Sequence, residues 1–233
     1  MKIAIVDDSL NARETLSKIL RLVGFETFIV DSKFTNIDEL SGYIQDNSEA
    51  VICDHRLKFN GFANFNGAEL MPSLYARKFP AILMTQYADE ISVSIRKYRD
   101  RIPVVLEREE LVDPDTIADK VNKSFDICLE EFQGKIPSSR RIHRTLINIV
   151  NITSDSGEDV VEVFVPSWNP YHAVRFPISL IPEDLLLNIK SQLNQKEDTW
   201  LIACVNTGAE KADDLYFTKF EVAPELDDND GFA

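Results

Sequence analysis

The stretch KIAIVDDS, residues 2–9, decides the reading of the first half of the chain. Ile3–Val6 is a short, continuous apolar run rich in β-branched residues, the pattern of a strand covered on both faces in a parallel sheet. It ends abruptly in two carboxylates, Asp7 and Asp8. Ser9 then offers an N-cap, Leu16, Ile19, Leu20 and Val23 recur at helical spacing, and Gly24 stands where a helix stops.

The unit strand, loop, helix, stop repeats along the chain. Strands are expected at Phe25–Val30, Ala50–Cys53, Ala81–Met84 and Ile102–Leu106. Helices are expected at Ile37–Gln45, Gly67–Arg77, Asp89–Tyr98 and Asp115–Phe132. Five short strands alternating with five helices predict a doubly wound α/β domain with a five-stranded parallel sheet, flavodoxin-like, in the order 2-1-3-4-5. In that order the first, third and fourth strands are neighbours and ligands bind at their carboxyl ends. Asp7, Asp8, Asp54 and Thr85 therefore converge on one point. Clustered carboxylates repel unless a cation sits among them, and an all-oxygen site suits Mg²⁺.

The three stretches IVDDS, VICDHRL and ILMTQYA, in this order on this alternation, resemble the receiver domain of two-component response regulators, the CheY-like fold. The resemblance covers residues 1–133. It implies Asp54 as phosphoacceptor, Asp8 as a direct Mg²⁺ ligand, Asp7 as a ligand through water, and the Arg56 backbone carbonyl as a further ligand. Thr85 would sense the phosphoryl group, and the phosphodonor would be a histidine kinase or a phosphotransfer protein.

The chain also departs from that family. Where the fifth strand should end in Lys followed by Pro, it reads VVLEREEL, so that the Lys position falls on Glu107 and the Pro position on Arg108. A carboxylate there opposes an acyl phosphate, and the straight count favours it. A shift of one residue would bring the Arg108 guanidinium in instead. Val104 stands at the family's aromatic switch position and Gln86 where a small residue is usual. HRLKFNGFANF, after Asp54, is longer than the usual loop and carries Phe59, Phe62 and Phe65, for which packing is favoured over binding. His55 reads as a loop residue.

GKIPSSRR breaks the periodicity, and a linker is drawn at residues 134–140. Beyond it, residues 141–226 read as a smaller β-rich domain, barrel-like or a curled sheet, with one helix over Glu183–Leu193, and residues 227–233 as an acidic tail. Arg140, Arg141, His143 and Arg144 form a basic cluster, read as a solvated strand balancing acidic surroundings. Trp168, Tyr171 and His172 surround two prolines in a turn, with Trp168 expected in the core.

The formal net charge is −14, and each half carries an acidic excess, 23 Asp+Glu against 16 Lys+Arg before Gly134 and 16 against 9 from there on. That argues against duplex DNA as a partner. The three cysteines show no metal-ligand or disulfide spacing, and no run approaches the roughly 18 apolar residues of a membrane span. A cytoplasmic protein is expected, with no membrane partner.

Two readings of function emerge. In the first, an atypical response regulator accepts a phosphoryl group on Asp54 with Mg²⁺ and thereby controls a C-terminal domain that binds a protein target; it is not an enzyme acting on other substrates. In the second, with Glu107 as the telling residue, a pseudo-receiver is never phosphorylated and serves as a scaffold, a homodimer being one form of it. An output enzyme or single-strand nucleic-acid binder is the weaker third.

Overall fold

The computed structural model describes residues 1–86, 93–155, 157–195 and 199–224. The chain divides into two compact units, residues 1–137 and 138–233. The division falls inside the predicted linker.

In the first unit, strands β1 (Lys2–Val6), β2 (Glu26–Ile29), β3 (Ala50–Asp54), β4 (Ala81–Thr85) and β5 (Val104–Glu107) form one sheet in the order β2-β1-β3-β4-β5. Every pairing in it is parallel. The doubly wound expectation is met. Continuous apolar strands are explained by the two cores they serve. Ala4, Val6, Val51, Cys53 and Leu83 face one way, toward helices α2 (Ile37–Asn47) and α3 (Gly67–Ala76). Ile3, Ile5, Ile52, Ile82 and Met84 face the other, toward α1 (Leu10–Leu22) and α4 (Ile117–Phe132). Because side chains alternate along a strand, both sets must be apolar when both faces are covered.

Helix boundaries follow local chemistry. The Ser9 hydroxyl accepts from the Ala12 N–H at the start of α1, and Gly24, at φ +94°, lets the chain turn out of it. Asn36 caps α2 through the N–H groups of Asp38 and Glu39. The predicted helix over Asp89–Tyr98 lies partly outside the described residues. Its described end is not α-helical: residues 93–95 are a turn and Arg96–Arg101 a 3-10 helix, with Tyr98 N–H donating three residues back to Ile95.

In the second unit, β6 (His143–Asp155), β7 (Glu158–Val165), β8 (Asn169–Pro177), β9 (Thr199–Val205) and β10 (Phe217–Val222) form an antiparallel sheet in the order β10-β9-β6-β7-β8. Three strands run as a meander, and the fourth returns beside the first after helix α5 (Glu183–Asn194), which is a Greek key. The sheet is curled: its edge strands β8 and β10 meet through Phe176 and Phe217, ring centroids 4.5 Å apart, with Phe220 at 5.6 Å from Phe176. A curled five-stranded antiparallel sheet of this order is barrel-like, and architecture by itself assigns no ligand. The predicted acidic tail lies outside the described residues.

The entry to this barrel is fixed from within the unit. Ser138–Arg140 forms a 3-10 turn whose Ser139 carbonyl accepts from Asn206 Nδ2 at 2.8 Å. Asn206 is fully buried, donates also to the Asp214 carbonyl at 3.0 Å, and accepts from Tyr216 N–H at 2.7 Å. The basic cluster is thereby dispersed. Arg140 is buried with its guanidinium over the Tyr216 ring, and Arg144 pairs with Glu221 at 2.8 Å. Trp168 packs against the barrel core and donates its indole N–H to Ala209, while Tyr171 is 93% exposed.

Candidate functional site

Parallel strands deliver their last residues to one edge, and here that edge is acidic. Asp7 and Asp8 follow β1, Asp54 ends β3, Thr85 ends β4 and Glu107 ends β5. Carboxylate oxygens of Asp7, Asp8 and Asp54 all lie within 4.8 Å of one another. Asp7 and Asp54 are buried and Thr85 is fully so. The three acids, with His55, Arg56, Phe59, Gln86 and Arg108, line a pocket of about 270 Å³.

Three acids gathered at one point need compensation. It comes first from Arg108. One guanidinium nitrogen, Nη2, donates to Asp7 Oδ2 at 2.7 Å and to Asp54 Oδ1 at 2.8 Å. Backbone N–H groups supply the rest. Ser9 donates to Asp7 Oδ1 at 2.8 Å, Arg56 to Asp54 Oδ2 at 2.8 Å, and Asn60 to Asp8 Oδ2 at 3.0 Å.

The expectation that Glu107 confronts the pocket is corrected here. Glu107 is exposed, although it pairs in register with Thr85. Its side chain instead caps the 3-10 turn Arg108–Leu111, and the next residue enters the acid cluster. The alternative of a one-residue shift describes this geometry.

The ionisation of the cluster follows from its burial. Asp54 is held above the usual carboxylate range by desolvation and by the Asp7 charge, against the opposing pull of Arg108 and the Arg56 N–H. Asp8 is raised by burial and by Asp7, with the Asn60 N–H working the other way. Burial disfavours the charge on Arg108, but its two acid partners more than offset this and raise its pKa. Asp54 is raised beside a firmly charged arginine because burial, and then the Asp7 charge, outweigh the attraction of Arg108. His55 is pushed down to about 4 by burial and by Arg56, so it is neutral at pH 7, with Nε2 2.9 Å from Ser94 Oγ.

The donor set fits a hard divalent cation, being oxygen throughout. Asp7, Asp8 and Asp54 offer carboxylates, and a Mg²⁺ among them would replace the Arg108 and Asn60 donors on the oxygens it takes.

Of the three loop phenylalanines, Phe62 and Phe65 are buried in the core, as packing requires, while Phe59 is 82% exposed at the pocket mouth. The Asn60 N–H is a contact that residue types do not signal, because any non-proline residue there would carry it. The close approach behind Asp54 is marked in the sequence by Gly67: a Cβ at that position would lie 2.1 Å from the Asp54 carbonyl oxygen.

The receiver-domain structures to which the chain is similar cover its N-terminal part, about 55% of its length. No family model matches the chain, and no curated protein matches it. Among solved structures, the chain is similar to a response regulator receiver domain protein from Clostridium thermocellum, with 13% identity, a TM-score of 0.42, and coverage of 57% of this chain and 96% of that one. It is also similar to a CheY-like receiver domain protein from Methanospirillum hungatei, with 20% identity, a TM-score of 0.43, and coverage of 56% and 97%. A response regulator from Chloroflexus aurantiacus shares 19% identity at a TM-score of 0.40, covering 54% and 97%. All three cover little more than half of this chain. Among the described residues, no helix is long and apolar enough to cross a membrane.

Proposed function

We propose that the first unit is the receiver of an atypical response regulator, that Asp54 accepts a phosphoryl group, and that Arg108 supplies the cation usually provided by lysine. The observation that carries this reading is the pair of contacts from Arg108 Nη2 to Asp7 and Asp54, at 2.7 and 2.8 Å. In the transfer, an Asp54 carboxylate oxygen attacks phosphorus and the donor's bond to phosphorus breaks, its electron pair leaving with the donor. Asp7, Asp8, Asp54 and the Arg56 carbonyl would hold Mg²⁺, which when bound neutralises charge on the transferring oxygens. The Arg56 N–H holds Asp54 Oδ2, which leaves Oδ1, the oxygen that Arg108 contacts, as the one that attacks. Arg108 then moves its hydrogen bonds from the carboxylate to the phosphoryl oxygens, a geometry its planar fork accepts. Thr85 lies at the end of the neighbouring strand to report the new group.

The donor is a histidine kinase or phosphotransfer protein, and the second unit is the output, binding a protein target. The connection between β9 and β10 carries Glu210, Asp213 and Asp214, and Glu158 and Asp159 open β7 at the other end of the sheet, so both ends are acidic. That charge favours a protein partner over single-stranded nucleic acid.

One observation favours the scaffold reading. Each of the three carboxylates already has a donor from the protein, so the pocket is satisfied without a metal. Incubation with Mg²⁺ and acetyl phosphate, followed by intact-mass measurement, separates the two. Gain of one phosphoryl group that is lost in Asp54→Asn is the expected result; no Asp54-dependent gain at saturating donor would leave the scaffold.

A further inference from the structure

Glu107 is the residue that a count along the chain places against the phosphoacceptor, yet it is turned away. Its backbone leaves the sheet in an extended conformation, φ −74° and ψ 145°. Its carboxylate accepts from the Glu110 N–H, and the Glu110 carboxylate accepts from the Glu107 N–H at 2.9 Å. This reciprocal cap satisfies backbone donors that the first turn leaves without intrahelical partners. It also winds residues 108–111 tightly, directly from the end of β5. Glu110 is tied from outside by Lys120 of α4, at 3.4 Å, and Leu111 is anchored in the core, 1% exposed. Arg108, the first residue inside the turn, is thus directed at Asp7 and Asp54.

We propose that Glu107 and Glu110 are positioning residues for Arg108, and that the acid at the lysine position is there to set the next residue's cation in the pocket. The functional consequence rests on the receiver reading above; the positioning itself does not. It gives EREE a role in which two charges of the wrong sign for the pocket hold one of the right sign inside it.

The test is a double-mutant cycle on the full chain, Arg108→Ala against Asp54→Asn, read as unfolding equilibria by circular dichroism. It is repeated in Glu110→Gln, Glu110→Ala and Glu107→Ala backgrounds. Coupling on the order of tenfold in the unfolding constant is expected in the wild type and with Glu110→Gln, whose amide oxygen can still accept. It should fall below about twofold in both alanine backgrounds. Adding Glu107→Lys to Arg108→Ala should restore no coupling to Asp54, since a side chain at 107 faces out. Undiminished coupling in the alanine backgrounds would overturn the proposal, as would absence of coupling in the wild type or a glutamine variant behaving like alanine. Failure of Asp54 to take a phosphoryl group in the mass experiment strikes the receiver reading instead and leaves these couplings as measured.

Discussion

Replacing Arg108 by alanine should weaken the first unit and make its stability depend on pH in a defined sense. The guanidinium lies 2.7 and 2.8 Å from carboxylates whose side chains are 2% and 7% exposed, and is itself 29% exposed. At about 4 Å between charges and an effective dielectric near 20, each attraction is worth about 4 kcal/mol before desolvation is charged against it. Removing one partner of a buried pair typically costs about 3–5 kcal/mol, because the other charge is stranded. The partial exposure of Arg108 reduces this, and about 2–4 kcal/mol is expected. For a unit of this size that lowers the melting temperature by about 10 °C.

The pH dependence follows from Asp54. Its pKa is already above the usual range through burial and the Asp7 charge, against the pull of Arg108. Without Arg108 it rises further. A carboxyl whose folded pKa exceeds its unfolded one binds more protons when folded, so stability is lost as pH rises through the folded value and regained on acidification. The Arg108→Ala deficit should therefore be largest at neutral pH and shrink toward pH ~5. Both tryptophans, Trp168 and Trp200, lie in the second unit, and among the described residues four of the five α-helices lie in the first. Circular dichroism at helical wavelengths should show the shift while tryptophan fluorescence does not. A loss below about 1 kcal/mol, or a deficit that grows on acidification, would refute the stranded-charge reasoning.

Three further outcomes are expected. Arg108→Ala should bind Mg²⁺ about tenfold more tightly than the wild type by titration calorimetry, since the cation no longer displaces a resident one and each ~1.4 kcal/mol is a factor of ten; equal affinities would show that Arg108 and the metal do not compete. Gly67→Ala, whose Cβ would meet the Asp54 carbonyl oxygen at 2.1 Å, should cost at least about 2 kcal/mol in urea unfolding by forcing strand and helix apart, and should slow Asp54 phosphorylation. Asn206→Ala should destabilise the second unit by about 2 kcal/mol, seen in tryptophan fluorescence, because it leaves the buried Tyr216 N–H and two half-buried carbonyls without this partner.

The parallel sheet was legible because two-faced burial writes itself into sequence. Ile3–Val6 must be apolar throughout, and a carboxylate just past such a run can only sit at a strand end. The sequence places Asp7, Asp8 and Asp54 together, since strand order fixes which ends are adjacent. The second unit was harder to read. Its period-two strands announced a β domain, but the Greek-key order rests on long-range pairing of β6 with β9, and no local pattern specifies that. The basic cluster misled for a related reason. Arg140 looks like a surface charge until Tyr216, far along the chain, covers it.

The error at Glu107 has a sharper cause. Counting from Thr85 assumes that β5 continues as a strand to its last residue with its side chain on the pocket side. A strand end is also a helix start whenever the next few residues can cap it, and Glu-Arg-Glu-Glu can. Once Glu107 turns out to hold the Glu110 N–H, the period of two no longer governs residue 108, and the adjacent side chain is directed inward. The same local chemistry that disqualifies Glu107 as a phosphate-facing group installs Arg108. An acid at the lysine position is thus compatible with a cation in the pocket, and it separates the chemistry of the site from the identity of the residue that a count assigns to it.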